Sequence, residues 1–260
     1  MGSGKPAAPA RRDAAYFDQW YADMASSEAR DAIVARSLGL PPGLQSTSLL
    51  TGPGIGTVTE ALGLRAGSLL VDAACGRGGY GMEVARRSGA RLLGVDFSEV
   101  ALAAARSGAA RLLSHGRAEF RAGTLTATGL PAGIADGLMC VDAIQFADPP
   151  LAALQEFRRL LAPGARLALT CWEAADPADE LVSPRIRAVN LGRDLPAAGF
   201  AGVQVDDKPD WREAERAMWE AALAAPADSD PAVQALQAEG RRALQTFGSL
   251  RRVFATASAP

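Results

Sequence analysis

Leu69-Leu70-Val71-Asp72-Ala73-Ala74-Cys75 runs into Gly76-Arg77-Gly78-Gly79-Tyr80-Gly81, and a second apolar run, Leu92-Leu93-Gly94-Val95-Asp96-Phe97, follows it. Between the two runs Met82, Val84 and Ala85 fall on one face of a helical pattern, with Glu83, Arg86 and Arg87 on another. Strand, glycine-rich turn, helix and strand make a βαβ unit. The glycines let backbone approach a ligand closely, and the helix N-terminus offers free N–H groups. Asp96 lies twenty residues after Gly76, at the tip of the second strand. A carboxylate there can accept both hydroxyls of a ribose.

Gly76, Gly78 and Gly81 have the spacing of a nicotinamide-binding turn, which alone is a weak signal. Asp72 argues otherwise: a carboxylate four residues before Gly76 would repel an arriving pyrophosphate and suits a ligand with a cationic end. The run Val71 to Gly79, followed by Gly94-Val95-Asp96-Phe97-Ser98, closely resembles the first two motifs of class I S-adenosylmethionine-dependent methyltransferases of the small-molecule type. The resemblance covers roughly residues 68–175. It implies an α/β, Rossmann-like, seven-stranded and mostly parallel sheet with helices on both faces. It also implies S-adenosylmethionine as cofactor, held by Asp72, Ala74, Gly76, Gly78, Asp96, Phe97, Thr124, Leu125 and Asp142. Thr124 stands where the family usually has an aspartate for the adenine amino group; its hydroxyl can still accept one hydrogen bond. Leu125 supplies a backbone N–H.

Composition sets bounds on the rest. At 260 residues and 48% hydrophobic content, the chain can bury one sizeable core. Its apolar runs are too short to span a bilayer. A net charge of −2 gives no general attraction to nucleic acid or to an anionic membrane. Three cysteines without metal-ligand spacing suit a reducing cytoplasm. Residues 1–12 read as a flexible tail, with no apolar stretch of a signal peptide.

Residues 13–54 read as an N-terminal cap, 55–210 as the core, 211–247 as a helical insertion and 248–260 as a last strand. Asp13 can cap a first helix carrying Tyr16, Phe17, Trp20, Tyr21 and Met24, and a break at Ser26-Ser27 starts a second. These aromatics pack into the core or form a lid over the ligand. The hydroxyl-rich stretch 45–54 reads as a loop ahead of a helix over 55–62. Ser98 caps a helix through about Arg106, and Asp148 caps another with Pro149 at its first position. Strands fall at 118–123, 138–143, 166–172, 203–205 and 252–256, with a helix over 185–199 interrupted by Gly192 and Pro196. The insertion, Trp211 to Leu223 and then Pro231 to Phe247 after an Asp230 cap, either roofs the substrate pocket or packs against the side of the sheet.

Asp142 and Gln145 follow the fourth strand, beside the place where a methyl group would be presented. Asp142 can take a proton from an acceptor, or serve as a hydrogen-bond partner. Asp148-Pro149-Pro150 differs from the motif of amide N-methyltransferases in position and in having Leu151 for the aromatic. His115, the only histidine, falls in a surface connection, and Cys75, Cys140 and Cys171 read as small buried hydrophobes. No metal site is expected: Glu173, Asp176 and Asp179 lack the spacing of a carboxylate–metal arrangement. The expected activity is methyl transfer to a small organic acceptor. A fold that binds the cofactor without methylating, or acts as a binding subunit, is the alternative. A nicotinamide oxidoreductase is disfavoured by Asp72 and by the absence of a Tyr-x-x-x-Lys pattern, Lys5 and Lys208 being the only lysines.

Overall fold

The computed structural model describes residues 14–25, 27–45, 47–226 and 230–260. The expected tail over 1–12 and the Asp13 cap lie outside them. In chain order the elements begin with α1 (Ala14–Ala25), α2 (Glu28–Leu38), α3 (Gly52–Leu62), β1 (Leu69–Ala73), α4 (Gly79–Ser88) and β2 (Arg91–Asp96). Next come α5 (Glu99–Leu112), β3 (Ala118–Ala122), β4 (Ala135–Val141), α6 (Pro150–Leu160) and β5 (Leu161–Ala174). The chain closes with α7 (Pro184–Arg187), α8 (Leu191–Ala197), β6 (Ala201–Asp207), α9 (Pro209–Ala224), α10 (Pro231–Thr246) and β7 (Leu250–Ser258).

The strands form one seven-stranded sheet in the order β3-β2-β1-β4-β5-β7-β6. All neighbours are parallel except β7, which is antiparallel to both β5 and β6. The strand order reverses between β1 and β4, and ligands of open α/β sheets bind at that switch point, beyond the carboxyl ends of the strands.

Successive strand residues serve opposite faces. Leu138 and Cys140 pack with Leu154, Phe157 and Leu160 of α6 and with Leu191 and Leu195 of α8. Met139 faces the other way, onto Ile55 and Val58 of α3, Met82 and Val84 of α4 and Leu102 of α5. Each such buried Leu or Phe contributes about 1.5–3 kcal/mol against exposure. A third cluster joins Val34 and Leu38 of α2 to Met218, Trp219 and Ala222 of α9 and Leu236 of α10. The N-terminal cap and the late insertion are thus packed on one another. Ser27, the N-cap of α2, also donates to Asp230, the N-cap of α10, at 2.6 Å.

Gly81 shows why the turn after β1 needs glycine. A Cβ there would lie 2.4 Å from Asp72 Oδ2 and 3.0 Å from Leu92 Cδ1. Only the bare backbone lets α4 pass so close to β1.

Some local expectations are corrected. α3 begins at Gly52, because Thr51 accepts the Gly54 N–H and Pro53 sits where its missing donor costs nothing. α5 runs past Arg106 through Gly108, where a Cβ would lie 3.1 Å from Met82 Cε. The helix expected over 185–199 is two short ones. It breaks at Asn190, whose side chain caps α8 by accepting the Arg193 N–H, and not at Gly192 or Pro196. Asp148 is exposed and does not cap α6; Pro149 is the N-cap and Pro150 the first helical residue.

Candidate active site

A cavity of about 1100 Å³ opens over the carboxyl ends of β1, β2, β4 and β5. Its floor includes Ala74, Asp96, Phe97, Thr124, Leu125 and Asp142, six of the expected cofactor residues. α1 forms one wall with Tyr16, Phe17, Trp20 and Tyr21, so its aromatics act as a lid and not as interior packing alone. The ring of Phe17 meets Phe97 at 5.3 Å and Phe146 at 5.5 Å, both edge to face. The stretch read as a plain loop also reaches the cavity, through Thr47, Ser48 and Leu49. It is strapped there: Tyr80 Oη donates to Ser48 O, and Ser48 Oγ donates to Val141 O. The insertion lines the cavity opposite the strand ends, through Glu215, Trp219, Leu236, Glu239 and Phe247.

Asp96 is buried at the end of β2, where Gly76 N donates to Oδ2 at 2.8 Å and Ser98 N to Oδ1 at 3.0 Å. Burial pushes its carboxyl above the ordinary value, while these N–H groups hold it down. Gly76 has φ +53°, and a Cβ there would lie 2.6 Å from Thr47 Oγ1 and 2.9 Å from Tyr21 Oη. The turn therefore carries the lid directly on its backbone. Arg77, buried in the same turn, makes a two-pronged ion pair with Asp31 of α2 at 2.8 and 3.0 Å.

Asp72, Gly76 and Gly78 lie beneath the cavity and not on its wall. The expectation that Asp72 meets a cationic ligand end is corrected. Its carboxyl accepts the Gly81 N–H under the start of α4, and burial, then Asp96, pushes it up to about 8. Beneath the cavity wall and engaged with the start of α4, Asp72 makes no direct contact with the cavity. Thr124 sits on the rim, its Oγ1 accepting the Ala127 N–H at 3.1 Å.

Asp142 follows β4 in the left-handed region, φ +57°. Arg252 Nη1 lies 2.5 Å from its Oδ1 and Arg252 Nη2 donates to its Oδ2 at 2.7 Å. Thr170 Oγ1 donates to Oδ1 at 2.7 Å and Leu49 N to Oδ2 at 3.2 Å. The expectation of Asp142 as a proton acceptor is therefore corrected: both oxygens are committed to the fold. Gln145 Nε2 donates to Asp142 O at 2.6 Å, and its Oε1 has no partner.

Sequence reading passed over Arg252 and Glu215. The signal was present in each case. Arg252 is in phase with Phe254 along β7, and Glu215 is in phase with Trp211, Met218, Trp219 and Ala222 on the buried stripe of α9. A charge on an apolar stripe marks a buried ion. Of the other candidates, Glu173 accepts the Leu191 N–H and pairs with Arg251, while Asp176 and Asp179 accept N–H groups of their own turns. Among the described residues no cluster of three or more His, Cys, Asp and Glu side chains can hold a metal ion. His115 is exposed, and the three cysteines are buried and unpaired.

Residues 70–164 match the family model of a methyltransferase domain. Those residues are a methyltransferase domain, and the chain around them has the class I methyltransferase fold. Such a domain implies S-adenosylmethionine as its cofactor. No curated protein matches the sequence. Among solved structures, the methyltransferase fold here is similar to the [4+2]-cyclase SpnF, at TM-score 0.74 and 23% identity, over 100% of this chain and 99% of that one. It is similar to phosphoethanolamine N-methyltransferase 2 of Haemonchus contortus, at TM-score 0.72 and 17% identity, over 92% of this chain and 59% of that one. It is also similar to geranyl diphosphate C-methyltransferase of Streptomyces coelicolor, at TM-score 0.63 and 17% identity, over 90% and 99%. At these identities the likeness is one of fold. No helix among the described residues is long and apolar enough to cross a membrane.

Proposed function

We propose that the protein transfers a methyl group from S-adenosylmethionine to a small, largely apolar organic acceptor. The observation that carries this reading is a single cavity joining the strand-end floor at Asp96, Phe97 and Leu125 to a roof of Trp219, Leu236 and Phe247. Its volume of about 1100 Å³ lies just above the range for one drug-sized ligand, about 300–1,000 Å³, which leaves room for a cofactor and an acceptor together.

The residues suit the cofactor. Asp96 presents a carboxylate to the cavity for the ribose hydroxyls. Phe97, Leu125 and Val141 offer apolar surface for the base, and Ala74, with φ +59°, brings its backbone to the cavity floor. When bound, the cofactor supplies a methyl group already activated by its sulfonium. The chain's own part is to align and to exclude water, and positioning of this kind can supply about 7–11 kcal/mol of a barrier. α1 and the 47–49 strap cover the floor, the roof closes the acceptor side, and Arg252 with Asp142 ties β7 to the end of β4.

A second reading keeps the cofactor pocket but performs a reaction without methyl transfer. What favours it is the cyclase SpnF, matched along nearly the whole of both chains, together with the lack of a free oxygen on Asp142. Calorimetry with S-adenosylmethionine, S-adenosylhomocysteine and NAD tests the cofactor, with micromolar binding of the first two expected. Transfer of a labelled methyl group to members of an acceptor panel separates the readings. Turnover with no label in the product supports the second, and binding of NAD alone overturns both.

A further inference from the structure

Glu215 projects from α9 into the roof of the cavity, 4% exposed. Trp219 Nε1 donates to its Oε1 at 3.2 Å, and its Oε2 has no hydrogen-bond partner. A buried carboxyl oxygen without a partner requires an explanation. Arg252, the nearby buried cation, spends both terminal nitrogens on Asp142 and makes no ion pair with Glu215 among the described residues. The cavity that Glu215 lines also offers aromatic and aliphatic surface from Trp172, Trp219, Leu236 and Phe247.

We infer that Glu215 is the acid–base residue of the acceptor site, accepting the proton of a hydroxyl carried by a neutral, largely apolar acceptor. This rests on the methyl-transfer reading. The acceptor O–H bond breaks, the proton passes to Oε2, and the bonding pair stays on the acceptor oxygen, which becomes the nucleophile. Water receives the proton from Glu215 after product leaves. A neutral hydroxyl suits the position, since an anionic acceptor would be opposed by Glu215 itself and by Asp142.

The charged groups facing Glu215 are Arg252 on β7, Asp142 after β4 and Glu239 on α10. Burial pushes the Glu215 carboxyl up to about 8; Asp142 and Glu239 add to this, and Arg252 and the Trp219 N–H oppose it. A proton acceptor works best when its pKa lies near the operating pH. Asp142 offers no free oxygen for the role, because both of its oxygens accept hydrogen bonds within the fold.

Two readouts free of turnover test the assignment. Trp219 donates to Glu215, so tryptophan fluorescence of the wild type should titrate with a midpoint near 8, and Glu215→Gln should remove that step. In the presence of S-adenosylhomocysteine, the affinity for para-cresol, a hydroxyl compound that stays neutral through this range, should rise as Glu215 ionises, with a midpoint near 8, because the carboxylate accepts the hydroxyl's hydrogen bond. In Glu215→Gln that rise should be absent, leaving affinity above pH 8 at least about tenfold below the wild type. Glu215→Asp, which keeps a carboxyl, should retain part of both signals and guards against a variant that simply fails to fold. A fluorescence step unchanged in Glu215→Gln overturns the proposal, as does wild-type para-cresol affinity that does not change with pH. Failure of the methyl-transfer reading shows elsewhere, as a wild type that binds neither adenosyl ligand yet keeps its Glu215-dependent titration.

Discussion

Arg252, at 0% exposure, grips both oxygens of Asp142 across the sheet, at 2.5 and 2.7 Å, over a sequence separation of 110 residues. The guanidinium also lies over the ring of Trp172 at 5.3 Å. The pair joins the last strand to the end of β4 under the acceptor side of the cavity. Removing one partner leaves the other buried and uncompensated, which costs about 3–5 kcal/mol. Arg252→Met should lower unfolding stability by that order in urea titrations. Asp142→Asn combined with Arg252→Met should cost less than the sum of the two single changes.

Asp96→Ala removes the acceptor of two backbone N–H groups, from Gly76 and Ser98, together with the carboxylate facing the cavity. A hydrogen bond to a charged group is worth about 1.5–3 kcal/mol. Calorimetry should show S-adenosylhomocysteine affinity reduced roughly 10- to 100-fold, with the circular dichroism spectrum retained.

The buried Asp72 gives stability a pH dependence. Its folded carboxyl stands at about 8, against about 3.9 for an aspartate in the unfolded chain. Between those values the folded state holds the extra proton, so stability falls as pH rises. Asp72→Asn mimics the protonated group. Denaturation curves should show the wild type losing stability relative to Asp72→Asn from about pH 4 to about pH 8, with the two parallel below that window.

Asp31 latches α2 to the glycine turn through Arg77. Burial pushes its carboxyl up, but Arg77 and then Arg30 outweigh this and hold it below the ordinary value. The latch is therefore complete above about pH 4 and is lost as pH falls through the depressed folded value. Asp31→Ala should make opening of α1 and α2 easier by about 1–3 kcal/mol. Hydrogen exchange at the α2 amides is the check: faster exchange in Asp31→Ala at neutral pH, with the difference from wild type closing in acid.

The βαβ unit and the place of Asp96 at a strand tip could be read from residues 69–97 because they depend on local chemistry. Glycine spacing, strand-length apolar runs and a carboxylate at a strand tip act over a few residues. Misplaced helix ends had equally local causes, since Thr51 and Asn190 chose cap positions that apolar periodicity does not mark. The site's electrostatics were of another kind. Asp72 and Asp142 are both plausible ligand residues in the sequence, yet one is spent under α4 and the other on Arg252. Glu215 reads as one acid on a helix until the roof closes over it. The sequence by itself determined the βαβ unit and the carboxylate at its edge, because their causes lie within one turn or one strand. The tertiary structure decided which carboxyl is sealed under a helix, which is paired and which faces the cavity, because burial and ion pairing depend on what residues far apart in the chain bring alongside.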